Sequence, residues 1–343
     1  MTDTLARTDA PAGGLTNDDA EAFRARCRAF LDEHATGGGR RNIAVAREFQ
    51  AALTDAGLAG LPYPSEYGGA GLTLEHEKIW RQEAQAYPAM TGELVISHGM
   101  CLPVLNDFGT DDQKRRFMPD NIAARTVWCQ MFSEPGAGSD VASLQMRAVR
   151  DGDEWVLNGQ KVWTTLAHVS DYGVVIARTD PDQPKHAGIS MFVVDMHAPG
   201  VEIRPIHQID GGRHFNEVFF SDVRVPADHL LGEYNNGWRQ ATAMLLYERV
   251  AFGSMGSGSI SQPMYDLLVR AARAAGRIDD PVVRDQLMEI YCMETTKSLV
   301  AMRTRAEMKA GRTPGPGGSL GKLATSVISW RFREIAMEIV GAG

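Results

Sequence analysis

The chain has 343 residues, 44% hydrophobic and 23% charged, an ordinary globular composition spread over more length than one simple core absorbs. Its formal net charge of −8 argues against a nucleic-acid binder, which needs a basic face. Four cysteines (Cys27, Cys101, Cys129, Cys292) stand far apart without a CxxC, and the nine histidines form no HxxxH pair, so neither a disulfide framework nor a metal site is expected. The start, Met1-Thr2-Asp3-Thr4, lacks the basic and apolar stretches of a secretory leader. No apolar run approaches the ~20 residues that cross a bilayer, so the expectation is a cytoplasmic protein with no membrane span.

Residues 1–15 are small and polar and read as a disordered tail. Thr16 with Asp19 then resembles a capping box, and Ala22, Phe23, Cys27, Phe30 and Leu31 follow at helical spacing. A second helix is predicted from Val45 to Ala56, ended by Gly57, and the Pro/Gly-rich stretch Leu61–Gly69 must be a loop. Helical patterns resume over Glu75–Ala86 and Asp111–Met118. From about Thr126 the pattern turns to short β-branched and aromatic runs. Trp155-Val156-Leu157 leads to Asn158-Gly159, read as a hairpin turn, and on to Lys161–Thr165. Gly173–Ala177, Met191–Asp195, Val201–Ile206 and Glu217–Val225 complete a compact antiparallel β domain. After Gly237-Trp238 helical periodicity returns through Ala241–Ser257, Pro263–Ala275, Pro281–Ala310 and Leu320–Val340, interrupted by the connector Gly311–Gly318. The expected fold class is α+β: an all-α domain over 16–125, a central antiparallel β-barrel-like domain over 126–236, and an all-α bundle over 237–343. No βαβ alternation and no GxGxxG after a strand supports a Rossmann site.

One segment carries most of the chemistry: Gln130-Met131-Phe132-Ser133-Glu134-Pro135-Gly136-Ala137-Gly138-Ser139-Asp140. Ser133 ends a strand, and the small residues after it let the backbone approach a partner closely. Such a loop offers N–H and hydroxyl groups to an anionic or heteroaromatic ligand. The residues alone leave a tight surface turn equally open.

Phe132–Asp140 closely resembles the characteristic loop of the acyl-CoA dehydrogenase family, and Asn158–Thr165 resembles that family's second flavin-contacting strand. Phe215–Phe220 with Val223–Pro226, then Glu248-Arg249, then Ser319–Leu323 match in order, so the resemblance runs from about Leu58 to Gly343. It implies FAD as cofactor and an acyl-CoA substrate, with electron-transfer flavoprotein as electron acceptor and assembly as a dimer or dimer of dimers. By the same resemblance Gln130, Phe132 and Ser133 lie where the isoalloxazine ring is touched. Trp163 packs on the ring, while Thr164 and Thr165 complete that strand's contact. Ser139 matches a position on the pantetheine or phosphate part of the thioester. The position of Ser133 is more often Thr in the family, and Gln130 replaces an aromatic in some members. Without the neighbouring motifs, Trp163 would read as a core aromatic of the β domain.

Glu248 has an argument of its own. On a helix it shares a face with Ala241, Met244, Leu245, Ala251, Phe252 and Met255, and a carboxylate within an apolar stripe loses hydration and becomes a stronger base. A Glu bonded to Arg249 or another cation is the structural alternative. One branch of the family places its catalytic Glu at this helix position just before an Arg, so the resemblance makes Glu248 the base and gives Arg249 a role in orienting the base or the substrate. The implied reaction is α,β-dehydrogenation of an acyl-CoA thioester: Glu248 takes the α proton and the β hydrogen leaves as hydride to flavin N5.

Gly317-Gly318-Ser319-Leu320-Gly321 fits GxSxG, but Thr313-Pro314-Gly315-Pro316 before it is not the strand a hydrolase elbow needs. Relative to the family the chain stops early, at Gly341-Ala342-Gly343, which leaves two other readings open. One is a non-catalytic or partner-dependent subunit of a heteromer; the other is a flavin oxidase or monooxygenase on the same fold.

Overall fold

The computed structural model describes residues 15–35, 42–88, 90–255, 263–310 and 317–341, except the side chains of 249–255, 305, 308 and 309. The expected tail (1–14), most of the connector (311–316) and the final Ala342-Gly343 lie outside the described residues. Two compact units are present, one through Glu248 and one from Arg249.

The first unit opens with helices. α1 (Asn17–His34) is capped by Thr16, whose hydroxyl oxygen accepts the Asp19 N–H at 3.2 Å. It buries Phe23, Cys27, Phe30 and Leu31, while Ala22 stays exposed. α2 (Ile43–Asp55) ends at Gly57, whose φ of 63° only glycine adopts freely. α3 (Leu74–Ala84) is tied to α1 where Glu83 accepts from Arg24 and Arg28 at 2.9 and 2.6 Å. Sequence periodicity assigned nothing to residues 92–108. They form a 3-10 turn (Gly92–Leu94), a π-helical turn (Ser97–Cys101) and the short α4 (Leu102–Phe108). These pieces are too short to show a helical period. α5 (Asp111–Ile122) begins with a capping box between Thr110 and Gln113. The Gln113 amide also donates to the carbonyls of Asp228 and Leu230 at 2.6 and 2.9 Å, fastening this helix to the β domain.

The strands are β1 (Trp128–Met131), β2 (Arg147–Asp151), β3 (Glu154–Thr165), β4 (Tyr172–Arg178), β5 (Ile189–Asp195), β6 (Val201–Pro205), β7 (Phe215–Pro226) and β8 (Leu230–Leu231). Their order is β6-β7-β3-β2-β4-β5-β8, with β1 added on β4. The antiparallel expectation holds for β2–β3, β3–β7, β6–β7, β4–β5 and β5–β8. β1, however, enters from the helical region rather than from a hairpin and runs parallel to β4, which β2 meets at a single parallel pair.

Burial along β4 and β5 alternates between two cores. Val174, Ile176, Ile189, Met191 and Val193 pack in the cluster that contains the helices. Val175, Ala177, Phe192 and Val194 point the other way, into a cluster with Trp155, Leu157, Phe220 and Val223. A sheet buried on both faces needs continuous apolar runs, and Gly173–Ala177 and Met191–Val194 supply them.

The Asn158-Gly159 turn is corrected. These residues lie inside the long β3, and the hairpin is made instead by Gly152-Asp153, between the paired Asp151 and Glu154, with Gly152 at φ 60°. Asn158-Gly159 sits at a register shift against β7. There the Asn158 amide donates to the Asp222 carboxylate and accepts the Asp222 N–H, both at 2.9 Å. Gly159 is required because its φ is 148° and a Cβ would meet the Met146 backbone at 2.9 Å.

α6 (Gly237–Met255) leaves the sheet and leads into the second unit. There α7 (Met264–Ala274), α8 (Pro281–Lys309) and α9 (Gly317–Val340) bury Leu268, Leu287, Ile290, Ile328, Ile335 and Ile339 together. Ser319 lies in the first turn of α9, not at a strand-to-helix elbow.

Gly159→Ala tests the bulge. Combining a disfavoured φ with a backbone clash, it should lower stability by about 1–3 kcal/mol. Gly92→Ala, where an added Cβ meets nothing within 4 Å, serves as control. Equal thermal midpoints for the two variants would show that β3 relaxes around the methyl group.

Candidate active site

A cleft of about 330 Å³ opens in the first unit where β1 and the segment after it meet the end of β3 and the last turn of α6 before Arg249. Gln130, Phe132, Ser133 and Ser139 line one side. Trp163 and Thr165 come from β3, and Leu245 and Glu248 from α6. Sequence periodicity gave no sign of Ile96, Val141 and Val162, which complete the wall. Thr164 is the exception among the expected residues. It is buried, does not line the cleft, and its carbonyl accepts the Asn216 amide at 2.9 Å. The side chain of Arg249 lies outside the described residues.

Two backbone devices produce this arrangement. At the end of β3, Lys161 pairs with Val218 and Thr164 with Asn216, so Val162 and Trp163 face Glu217 alone. The extra residue is a bulge, and it reverses the strand's phase. Inward positions run Trp155, Leu157 and Lys161; continued alternation would turn Trp163 inward. The bulge instead buries Thr164 and leaves the Trp163 indole 58% exposed beside the cleft. Trp163 has φ 60°, a left-handed conformation disfavoured for a bulky residue, and its ring meets Phe215 edge-on at 6.1 Å.

The second device lies behind Phe132 and Ser133. Lys161, fully buried, donates from Nζ to the Phe132 carbonyl at 3.0 Å and to Glu134 Oε1 at 2.8 Å. The Val162 N–H donates to the Ser133 carbonyl at 2.9 Å. Glu134, also buried, accepts the N–H groups of Gln145 and Met146 at 2.6 and 3.0 Å. Burial draws Lys161 down to about 8, against the attraction of Glu134. The sequence held one signal for this pair: a lysine in the inward phase of an otherwise apolar strand face.

α6 is placed from both ends of its ordered face. Gly237 lets the helix start against the Ser190 backbone, which an added Cβ would meet at 2.7 Å. Ala241 and Met244 are buried, and Leu245 is half-buried. The Tyr247 hydroxyl donates to the Asp107 carboxylate, holding this turn to α4. Burial, and then that hydrogen bond, raise the Tyr247 hydroxyl well above its ordinary range, so it stays a donor. Glu248 follows directly, partly exposed rather than sunk in the apolar face, and it is the only ionisable side chain among the described residues lining the cleft.

Three family profiles match in sequence: "Acyl-CoA dehydrogenase, N-terminal domain" over residues 17–125, the "middle domain" over 129–223 and the "C-terminal domain" over 235–343. The acyl-CoA dehydrogenase IpdE1 of Mycobacterium tuberculosis is 38% identical over 338 residues, covering 94% of this chain and 86% of that protein. The chain belongs to the acyl-CoA dehydrogenase family. Its members are FAD-dependent oxidoreductases, and an acyl-CoA substrate follows from membership. Among solved structures, the "Tcur3481-Tcur3483 steroid ACAD" superposes with a TM-score of 0.77 at 30% identity, over 96% of this chain and 86% of that one. The ChsE4-ChsE5 complex from Mycobacterium tuberculosis gives 0.74 at 31%, over 96% and 86%. No helix among the described residues is long and apolar enough to cross a membrane.

The donor set suits a flavin ring. A flat apolar surface (Trp163, Phe132) stands beside the hydroxyls of Ser133 and Thr165 and the amide of Gln130, which make no hydrogen bond to protein among the described residues. Stacking and edge hydrogen bonds are what a heteroaromatic with a polar rim requires. The double replacement Ser133→Ala with Trp163→Ala should therefore weaken FAD binding by about tenfold or more, read by titration of the flavin spectrum. Unchanged affinity would place the ring elsewhere.

Proposed function

We propose that the chain dehydrogenates an acyl-CoA thioester between its α and β carbons, with Glu248 as the base. The observation that carries this reading is the convergence of a single carboxylate from α6 on a cleft walled by the Gln130–Ser133 segment and the exposed Trp163. Gln130, Phe132, Ser133, Trp163 and Thr165 would hold FAD, which when bound supplies the acceptor for the β hydrogen as hydride. Thr164, expected among these contacts, would support the strand from behind. Ser139 would bind the pantetheine or phosphate part of the thioester, and Arg249 would orient the base or the substrate.

The chemistry asked of the protein is modest in number of groups. Glu248 removes the α proton, and the electron pair of that C–H bond becomes the new double bond as the β hydrogen departs with its own pair. Electron-transfer flavoprotein is the proposed electron acceptor.

Glu248→Gln keeps size and hydrogen-bonding capacity without a basic oxygen. In a single-turnover experiment it should retain FAD and acyl-CoA yet slow flavin reduction by ~100- to 10,000-fold. Loss of FAD together with activity would make Glu248 structural, and near-wild-type reduction would move the base to another residue.

We also infer assembly as a dimer or dimer of dimers. Leu299, Met302, Leu323, Trp330 and Met337 on α8 and α9 are 56–69% exposed, a concentration of apolar surface that association would cover. Sedimentation at micromolar concentration should report two or four copies. A chain that stays monomeric alone and assembles only with a homologous subunit would favour the partner-dependent reading.

A further inference from the structure

We infer that the buried Lys161–Glu134 pair is the positioning element of the flavin-facing backbone, setting where Phe132 and Ser133 stand relative to the ring that Trp163 covers. The inference rests on the flavin reading above and goes beyond it, because neither residue lines the same cleft as Phe132, Ser133 and Trp163.

The geometry is a grip on three consecutive residues by donors from β3 and from the stretch just before β2. The Phe132 carbonyl is taken by Lys161 Nζ, the Ser133 carbonyl by the Val162 N–H, and the Glu134 carboxylate by Lys161 and the N–H groups of Gln145 and Met146. Glu134 also closes a tight turn through reciprocal backbone bonds with Ala137 at 3.0 and 3.1 Å. The carbonyls of Phe132 and Ser133 are thus taken by β3, away from the cleft that the side chains of both residues line. Lys161 is two residues from Trp163, so one stretch of β3 fixes both the ring-covering indole and the opposing segment.

Stability alone does not explain this pair. Burying two charges removes them from water, and apolar side chains of like volume often stabilise as well or better. Lys161 shows that penalty, since its burial outweighs the attraction of Glu134. What apolar side chains cannot do is fix a carbonyl and two N–H groups in direction, because dispersion has no such directionality. A site that hydrogen-bonds the rim of a flat ring needs that directional control.

The experiment begins with FAD titrated into the wild-type chain. Absence of binding there removes the flavin reading itself, separately from this inference. The variant is Lys161→Met combined with Glu134→Gln, since replacing both partners leaves no uncompensated buried charge. We expect it to unfold near the wild-type midpoint yet bind FAD about tenfold or more weakly, with altered band shape in the bound flavin spectrum. Wild-type affinity and spectrum in a folded double variant would overturn the inference. If that variant does not fold, amide exchange on the wild-type chain decides instead. Reciprocity requires FAD to slow exchange at Gln145 and Met146 more than in β6, at the far edge of the sheet. Equal slowing in both places would show that the pair is structural only.

Discussion

Three consecutive residues, Phe132, Ser133 and Glu134, are held by hydrogen bonds from behind so that two of their side chains can face a ligand, and most of the site's geometry follows from that requirement. Backbone groups at the edge of a sheet must find partners, and a segment leaving β1 without continuing the ladder would expose them. Lys161 and Val162 of β3 supply partners to the Phe132 and Ser133 carbonyls, and the N–H groups of Gln145 and Met146, just before β2, hold the Glu134 carboxylate. The small residues after Glu134 then keep bulk away from the opening. A charged pair inside the domain, which carries a desolvation penalty, is a reasonable solution where direction matters more than burial.

Several departures from local regularity lie along β3 and beside the cleft. Trp163 and Leu166 carry positive φ values, a bulge interrupts β3, a second register shift occurs at Asn158-Gly159, and a π-helical turn follows Ile96 at the cleft wall. Of these, the bulge between Lys161 and Thr164 turns the indole outward, and Ile96 before the π-helical turn lines the cleft. Elsewhere β4 and β5 follow simple alternation between two cores and show no such irregularity. Trp163 thus carries a disfavoured backbone conformation at the cleft wall itself, while Ala124, Asp222 and Asn235 carry positive φ elsewhere.

Much of this was legible in the sequence because local rules decided it. The α–β–α order, the capped α1, the Gly57 stop and the apolar runs of β4 and β5 depend on neighbours within a few residues. The spaced motifs also drew Gln130, Phe132, Ser133, Ser139, Trp163, Thr165 and Glu248 into one group, and they do line one cleft. The hairpin was misread where a contact between distant segments decided the outcome. Asn158-Gly159 has the composition of a turn, yet a glycine is equally needed where Met146 presses on a strand. Thr164 sits between two cleft residues in sequence, and the bulge in β3 buries its side chain.

The sequence by itself determined the longer helices, most of the longer strands and which residues belong to the family's motifs, since periodicity, caps and short motifs are local properties of the chain. Only the tertiary structure decided which way Trp163 turns, that Glu248 is partly exposed instead of buried, and that Lys161 and Glu134 meet across 27 residues of sequence. Those outcomes depend on a bulge set by the partner strand and on contacts between distant elements, and no window of neighbouring residues contains both sides of such a contact.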